Sequence, residues 1–334
     1  MDILKDTMQA LILEEFNNEF IMKEMSMPVP IEGQVLVAIK ASGINPLDLK
    51  IKSGTAAHAK TVLPAILGID MAGIVTAVGE NVTDYKIGDE VYGMTGGIAG
   101  VQGSLAQFAA VDADLLAHKP SNISFKEAAS LPLALITAWE GLVDRAKVDS
   151  TKKVLIHGGA GGVGHIAVQL AKSFGATVYA TGTADSKKQI EQYGAVAIDY
   201  VKETVDEYVQ QYTDGEGFDI IFDTVGGANL DNSFSAVRQY TGHVVSILGW
   251  GTHSLAPLSF RGATYSGVFT LLPLITGKGR KHHGNILSEA TKLIESGHIR
   301  GNTHPGSFTL KDVEQTWKEM SDGIIKGKVV IEID

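Results

Sequence analysis

The chain has 334 residues, 44% of them hydrophobic and 20% charged, with a formal net charge of -10. This is an ordinary globular balance, long enough for two domains, with no basic tract to hold nucleic acid or an anionic membrane. It contains no cysteine, which excludes disulfides, thiolate catalysis and every cysteine-ligated zinc or iron–sulfur site. No apolar run approaches the ~20 residues that span a bilayer. The N-terminal segment lacks a basic-then-apolar leader, so a cytoplasmic protein is expected.

In chain order, the first part reads as β-rich. Gln34–Lys40 and Gly68–Val78 are strand candidates, Asp84–Tyr92 is a turn into a strand, and Gly93–Gly103 is a glycine-rich loop. Short strands with frequent glycine and proline predict a barrel-like β-domain. Ser124 and Glu127 form a capping-box pattern that opens a helix, Pro132 marks a break or a new first turn, and a second helix is predicted over about 134–145.

From 153 onward strands and helices alternate. The predicted strands are Lys153–Gly158, Thr177–Thr181, Val196–Asp199, Phe218–Asp223, His243–Leu248 and Thr264–Phe269. The helices between them cover roughly 162–174, 185–193, 204–213 and 228–240. This predicts a doubly wound parallel sheet of six strands, with its ligand at the C-terminal strand ends. A helix at Ile286–Ser296 and a strand at Lys328–Ile333 follow. Alone, that strand would have no sheet to join, so it is expected to return to the first domain. The expected domains are therefore 1–127 with 280–334, and 128–279. His282 and His283 adjoin, but helical neighbours point different ways, so they read as a solvated helix start. No metal site is expected.

The richest segment is Val154 to Ala171. An apolar run ends at His157, the glycines Gly159, Gly161, Gly162 and Gly164 follow with Val163 between the last two, and a helical pattern starts at once. Strand, glycine turn and helix form the context of a dinucleotide site. Gly159 is read as the tight turn, Gly161 as the close approach to a pyrophosphate and Gly164 as the helix–strand contact. The phosphates would sit on free N–H groups at the helix N-terminus.

The second predicted strand ends at Thr181, Gly182 and Thr183, where an NAD enzyme carries an acidic residue about 20 residues after the glycines. No carboxylate stands there, and Ser186, Lys187 and Lys188 follow. Small hydroxyl residues leave room for a 2′-phosphate and the ammonium groups supply charge, so NADPH is the expected cofactor. Asp185 could still reach a ribose if the turn folds back.

Seven segments, in this order, carry a family resemblance. They are Asn45–Asp48 with Lys50, Lys52 and Gly54; Gly68–Gly73; Val78–Tyr92; Leu131–Trp139; His157–Gly164; Asp223–Gly226; and Gly327–Val330. The whole chain resembles the medium-chain dehydrogenase/reductase superfamily, in its zinc-independent quinone oxidoreductase branch. The resemblance implies a GroES-like β-barrel domain beside an α/β Rossmann domain.

Where the zinc-dependent members hold catalytic ligands, this chain has Ile44 and Ile69 or Asp70, and the four-cysteine lobe is replaced by Gly93–Gly103. Reduction of an electron-poor quinone or enone needs less Lewis-acid help than alcohol oxidation, so a metal-free reductase is expected. The resemblance further implies cofactor contacts at Thr137, Tyr200, Asp223, Val225, Leu248, Gly249, Trp250, Phe269 and Lys328. It places Asn45 and Asp48 near the nicotinamide, with Lys52 in the substrate cleft. The stretch 47–60 has no tyrosine, so no proton donor is expected there; Tyr92 and Tyr265 are candidates elsewhere.

The expected activity is hydride transfer from NADPH to a quinone. An alkenal or enone double-bond reductase is the alternative on the same fold, and a non-catalytic NADPH-binding protein the alternative of another class. In this family edges like the predicted strand Thr264–Phe269 pair across a dimer, which implies a homodimer.

Overall fold

The computed structural model describes residues 7–325 and 327–334. The chain divides into two compact units. One comprises the residues up to Leu133, Leu271–Ser296 and Gly301–Asp334, and the other Ala134–Thr270 with Gly297–Arg300.

The first unit opens with an antiparallel hairpin of β1 (Thr7–Ile12) and β2 (Ile21–Ser26), which carries no glycine and escaped the sequence reading. Then come β3 (Gln34–Gly43), β4 (Asp70–Val78), β5 (Glu90–Met94), β6 (Phe108–Asp112) and β7 (Leu116–His118). Strands β3, β4 and β5 are antiparallel neighbours, β7 pairs with β5, and β6 pairs with β3. Gly73 faces a bulge in β3, and a Cβ there would lie 2.3 Å from the Ala38 carbonyl oxygen. The predicted capping box is present, with Ser124 and Glu127 closing the helix Phe125–Ala129.

The second unit is built on β8 (Lys153–Ile156), β9 (Thr177–Gly182), β10 (Val196–Asp199), β11 (Ile220–Asp223), β12 (His243–Ser246) and β13 (Thr264–Gly267). All are parallel, in the order β10-β9-β8-β11-β12-β13. The strand order reverses between β8 and β11, which is where such sheets bind ligands. Phe218, Ile221, Phe234 and Val244 are buried in a core that also takes in Tyr179 and Tyr208.

Three predicted elements differ. The helix expected over 134–145 is an α-helix from Pro132 to Trp139 that continues as a π-helix over Glu140–Arg145. Gly141 lies so close to Phe222 that a Cβ would meet its ring at 2.3 Å. Strand β13 stops at Gly267, and the apolar Val268 beyond it is buried rather than presented at the sheet edge. The helix after 280 spans Arg280–Glu295 and buries His283 completely, so only His282 of that pair is solvated.

The chain returns to the first unit through β14 (Phe308–Thr309) and β15 (Val330–Glu332). β15 pairs antiparallel with β3 and parallel with β14, as expected for a strand that would otherwise have no partner. Among the described residues no helix is long and apolar enough to cross a membrane.

Candidate functional site

In the first unit, strand register gathers a buried polar cluster. Gly43 on β3 faces Asp70 on β4 and Val330 on β15. The residues just past these pairs, Asn45 and Lys328, therefore converge on Asp70. Asn45 donates from Nδ2 to Asp70 Oδ2 at 3.0 Å, and Lys328 Nζ lies 3.2 Å from the same oxygen and also bonds Asn45 Oδ1. Asp70 Oδ1 accepts the Leu133 N–H at 2.9 Å. Gly43 permits the approach, since a Cβ there would fall 2.0 Å from the Ala129 carbonyl oxygen.

Asp48 joins the cluster from the first turn of the helix Pro46–Lys52, its Oδ2 accepting the Asn45 N–H at 2.8 Å. Its Oδ1 is buried without a hydrogen-bond partner. Burial pushes the Asp48 carboxyl up to about 7; the Asn45 N–H and the Lys328 charge oppose the rise, and the Asp70 charge adds to it. Burial also raises Asp70, against the pull of Lys328 and Asn45.

Lys52 is not part of this gathering. Its ammonium lies 3.0 Å from Glu314 and 5.5 Å from the Phe20 ring centroid. The two tyrosine candidates are engaged elsewhere. Tyr92 is fully buried and its hydroxyl donates to the Leu287 carbonyl at 2.8 Å. Tyr265 is half-buried, packed edge-on against Phe234. Burial raises both phenols.

In the second unit the glycine turn lies where β8 meets the helix Gly164–Ser173. The roles differ from the expected ones. The left-handed residue is Gly158, with φ of 71°, a glycine that the motif pattern omits. Gly159 is required by packing, because a Cβ would lie 2.5 Å from the Ala180 Cβ. Gly164 sits against the turn, where a Cβ would fall 2.0 Å from the Gly158 carbonyl oxygen. Gly161 and Gly162 are exposed, and a Cβ on Gly162 would meet nothing within 4 Å. No side chain caps the helix that follows. An open glycine surface in front of an uncapped helix N-terminus fits a dinucleotide pyrophosphate.

His157 lies under this turn, with Nδ1 3.3 Å from Thr181 Oγ1, which in turn accepts the Gly158 N–H at 3.1 Å. Burial holds the imidazole down at about 4, opposed by the Asp223 charge. Asp223 is itself fully buried: Oδ1 accepts the N–H groups of Val225 and Gly226, and Oδ2 accepts the Ser246 hydroxyl at 2.7 Å. It builds the turn that presents Val225, which is 54% exposed.

At the end of β9, Gly182 accepts the Tyr200 N–H at 3.3 Å, so the ends of β9 and β10 lie together. Thr183, Asp185, Lys187 and Lys188 are exposed around a short turn in which the Ser186 hydroxyl donates to the Thr183 carbonyl. Lys187 is 3.8 Å from Glu191, a solvent-screened pair. Thr137 is buried in its helix. Past β12, Leu248 donates its N–H to Ser246 Oγ at 3.1 Å, Gly249 follows, and Trp250 packs edge-on against Phe269 with ring centroids 6.3 Å apart. Sequence reasoning missed Gly158, His157 and Ser246 as parts of the cradle. His157 and Gly158 stand in the quoted motif, but Ser246 carries no pattern of its own.

A parallel sheet with a glycine-turn cradle at its switch point, together with a β-rich unit holding a buried Asn–Asp–Lys cluster, defines a two-unit nicotinamide-type dehydrogenase. Comparison with known proteins agrees. Residues 31–121 match the alcohol dehydrogenase GroES-like domain and residues 162–280 the zinc-binding dehydrogenase domain. The chain is 34% identical over 97% of its length to an NADPH-dependent alkenal/one oxidoreductase of Arabidopsis thaliana, covering 79% of that protein. It is 32% identical over 75% of its length to the quinone oxidoreductase of Homo sapiens, covering 76% of it. A solved alcohol dehydrogenase superfamily protein from Novosphingobium aromaticivorans superposes with a TM-score of 0.95 at 48% identity, covering 98% of this chain and all of the other. The chain belongs to the medium-chain dehydrogenase/reductase superfamily, in the branch of the zinc-independent quinone oxidoreductases and enoyl reductases. It is an oxidoreductase of an NAD(P)-dependent family, with a GroES-like domain and a Rossmann-like sheet.

Proposed function

We propose that this protein is a zinc-independent, NADPH-dependent reductase of conjugated carbonyl compounds, with a quinone as acceptor. The observation that carries the cofactor choice is the end of β9: Thr181, Gly182 and Thr183 offer no carboxylate to a ribose, and exposed Lys187 and Lys188 follow. When bound, NADPH would supply hydride, and the protein would supply orientation and a proton. Gly161, Gly162, Val163 and the helix N-terminus would hold the pyrophosphate. Thr183, Ser186, Lys187, Lys188 and Tyr200 would surround the 2′-phosphate, and Val225, Leu248, Trp250 and Phe269 would line the strand ends.

Asn45 and Asp48 are the proposed catalytic pair. Asn45 is locked by Lys328 and Asp70, and Asp48 holds its proton up to about 7, which suits a group that must still donate near neutral pH. Lys52 ties its helix to Glu314 instead. Among the positions that match the family's zinc ligands, Ile44 and Ile69 have no donor atom and Asp70 is already engaged by Asn45, Leu133 and Lys328.

Enone double-bond reduction is the second reading, favoured by the Arabidopsis relative, which aligns over 97% of this chain. The test is nicotinamide absorbance with NADPH and NADH against benzoquinones, enones and aldehydes. Quinone turnover with NADPH preferred is expected. Replacing Lys187 and Lys188 together by Ala is expected to raise KM for NADPH roughly five- to thirtyfold, as losing ~1–2 kcal/mol of charge-assisted contact would, and to leave NADH unchanged. Equal use of NADH by the unmodified protein refutes the cofactor assignment, and turnover of enones alone moves the acceptor to the second reading.

A further inference from the structure

His253 lies in the segment between β12 and the helix Ala256–Arg261. Its Nδ1 is 2.9 Å from Asp231 Oδ1, on the helix Ala228–Ala236, and its Nε2 is 3.2 Å from the Trp250 carbonyl oxygen. A carboxylate and a carbonyl are both acceptors. A neutral imidazole carries one N–H and can satisfy only one of them; the imidazolium carries two and satisfies both. The ring is well covered, with its side chain 12% exposed.

The segment it grips also packs Trp250 on Phe269 and is rich in glycine. Gly249 and Gly251 flank Trp250, Gly251 is left-handed at φ of 105°, and a Cβ on Gly251 would meet nothing within 4 Å. Trp250 itself is 55% exposed.

We propose that His253, as imidazolium, is a positioning residue that latches the Trp250 segment to the helix Ala228–Ala236 and so holds one wall of the acceptor site. The acceptor part rests on Trp250, placed above at the strand ends, also forming part of the acceptor wall; the latch does not. Two anionic groups act on the ring, Asp231 from that helix and Asp223 from the end of β11. The hydrogen bond to Asp231 is the largest influence and raises the histidine above its ordinary 6.5, opposed by burial and helped by the bond to the Trp250 carbonyl and by the Asp231 and Asp223 charges. The sign follows. Below the raised pKa both bonds hold; as pH rises through it, one donor is lost and the segment is released.

The experiment uses the full-length protein and two readouts. Ring ¹⁵N resonances report the protonation of His253, and the Trp250 indole N–H, assigned by its loss in Trp250→Phe, reports the segment. Steady-state kinetics with NADPH and 1,4-benzoquinone report the site. Both ring nitrogens are expected to be protonated near pH 6.5, and the indole signal should shift with the same midpoint as the ring. KM for the quinone should rise roughly three- to tenfold across that midpoint with kcat little changed, as the loss of one partly exposed charge-assisted bond would give. Asp231→Asn should lower the midpoint, and His253→Gln should hold the high-pH KM at every pH. A singly protonated ring near pH 6.5, or an indole signal indifferent to the ring, overturns the latch. A working latch with a flat quinone KM overturns its acceptor role. Absence of turnover with any acceptor counts against the proposed function, while the resonances still decide the latch.

Discussion

Asp48 shows what a single buried carboxyl costs and offers. In the unfolded chain it titrates near 3.8, and in the folded protein at about 7. Between those values the native state binds more protons than the unfolded one, so stability falls as pH rises through the window, and the loss is complete above about 7. Asn cannot ionise and its carbonyl can still accept the Asn45 N–H. Asp48→Asn is therefore expected to gain about 1–3 kcal/mol relative to the unmodified protein between about pH 4 and pH 8, and to lose most of its reductase activity. Denaturant unfolding at both pH values checks the first part, and a difference between the two proteins that ignores pH refutes it. Asn45 and Asp48 were legible in sequence as a motif. The part played by Asp70 was not, because its partners Asn45 and Lys328 are 25 and 258 residues away and only strand register brings them together. Lys52 shows the reverse case: the family resemblance implied a place in the cleft, but a glutamate 262 residues away pairs with it.

Elements were most legible where a period and a punctuation mark agreed. The six parallel strands and the glycine turn could be read because apolar runs alternate with amphipathic helices and glycines separate them. The hairpin β1–β2 lacked that punctuation, and its second strand Ile21–Ser26 is largely exposed, so no alternation announced it. The π-helix over Glu140–Arg145 brings Gly141 tightly against Phe222, a tertiary contact that no pattern in the segment announces. The glycine turn makes a sharper prediction. Gly164→Ala would drive a Cβ to 2.0 Å from the Gly158 carbonyl oxygen, a backbone atom that cannot swing away. The helix Gly164–Ser173 must then lift from β8, costing about 2–4 kcal/mol and most of the dinucleotide affinity. Gly162→Ala, which meets open space, should leave stability nearly unchanged while crowding the pyrophosphate. Thermal melting and NADPH titration of both variants separate the two effects; equal melting temperatures for the two contradict the packing argument.

At the scale of the whole molecule, β13 ends the six-stranded sheet, and among the described residues no strand pairs with its outer row of backbone groups. Phe260 is 85% exposed on the helix that precedes it. A homodimer formed by pairing two such edges is the expected state, and light scattering should give twice the 35.4 kDa chain mass; a monomer mass refutes the pairing. A proline at Tyr265 would remove one ladder donor and should shift that mass toward the monomer. The sequence by itself determined what is local: the βα alternation, the glycine cradle, the missing carboxylate after β9 and the absence of thiolate ligands. These follow from residue type and spacing along a few turns of chain. The tertiary structure decided what is distant in sequence: that β15 carries Lys328 to Asp70, that Asp223 and Ser246 build one turn, and that His253 faces two acceptors at once. Such placements depend on strand register and packing, and a side chain's partners across a sheet leave no period in its own segment.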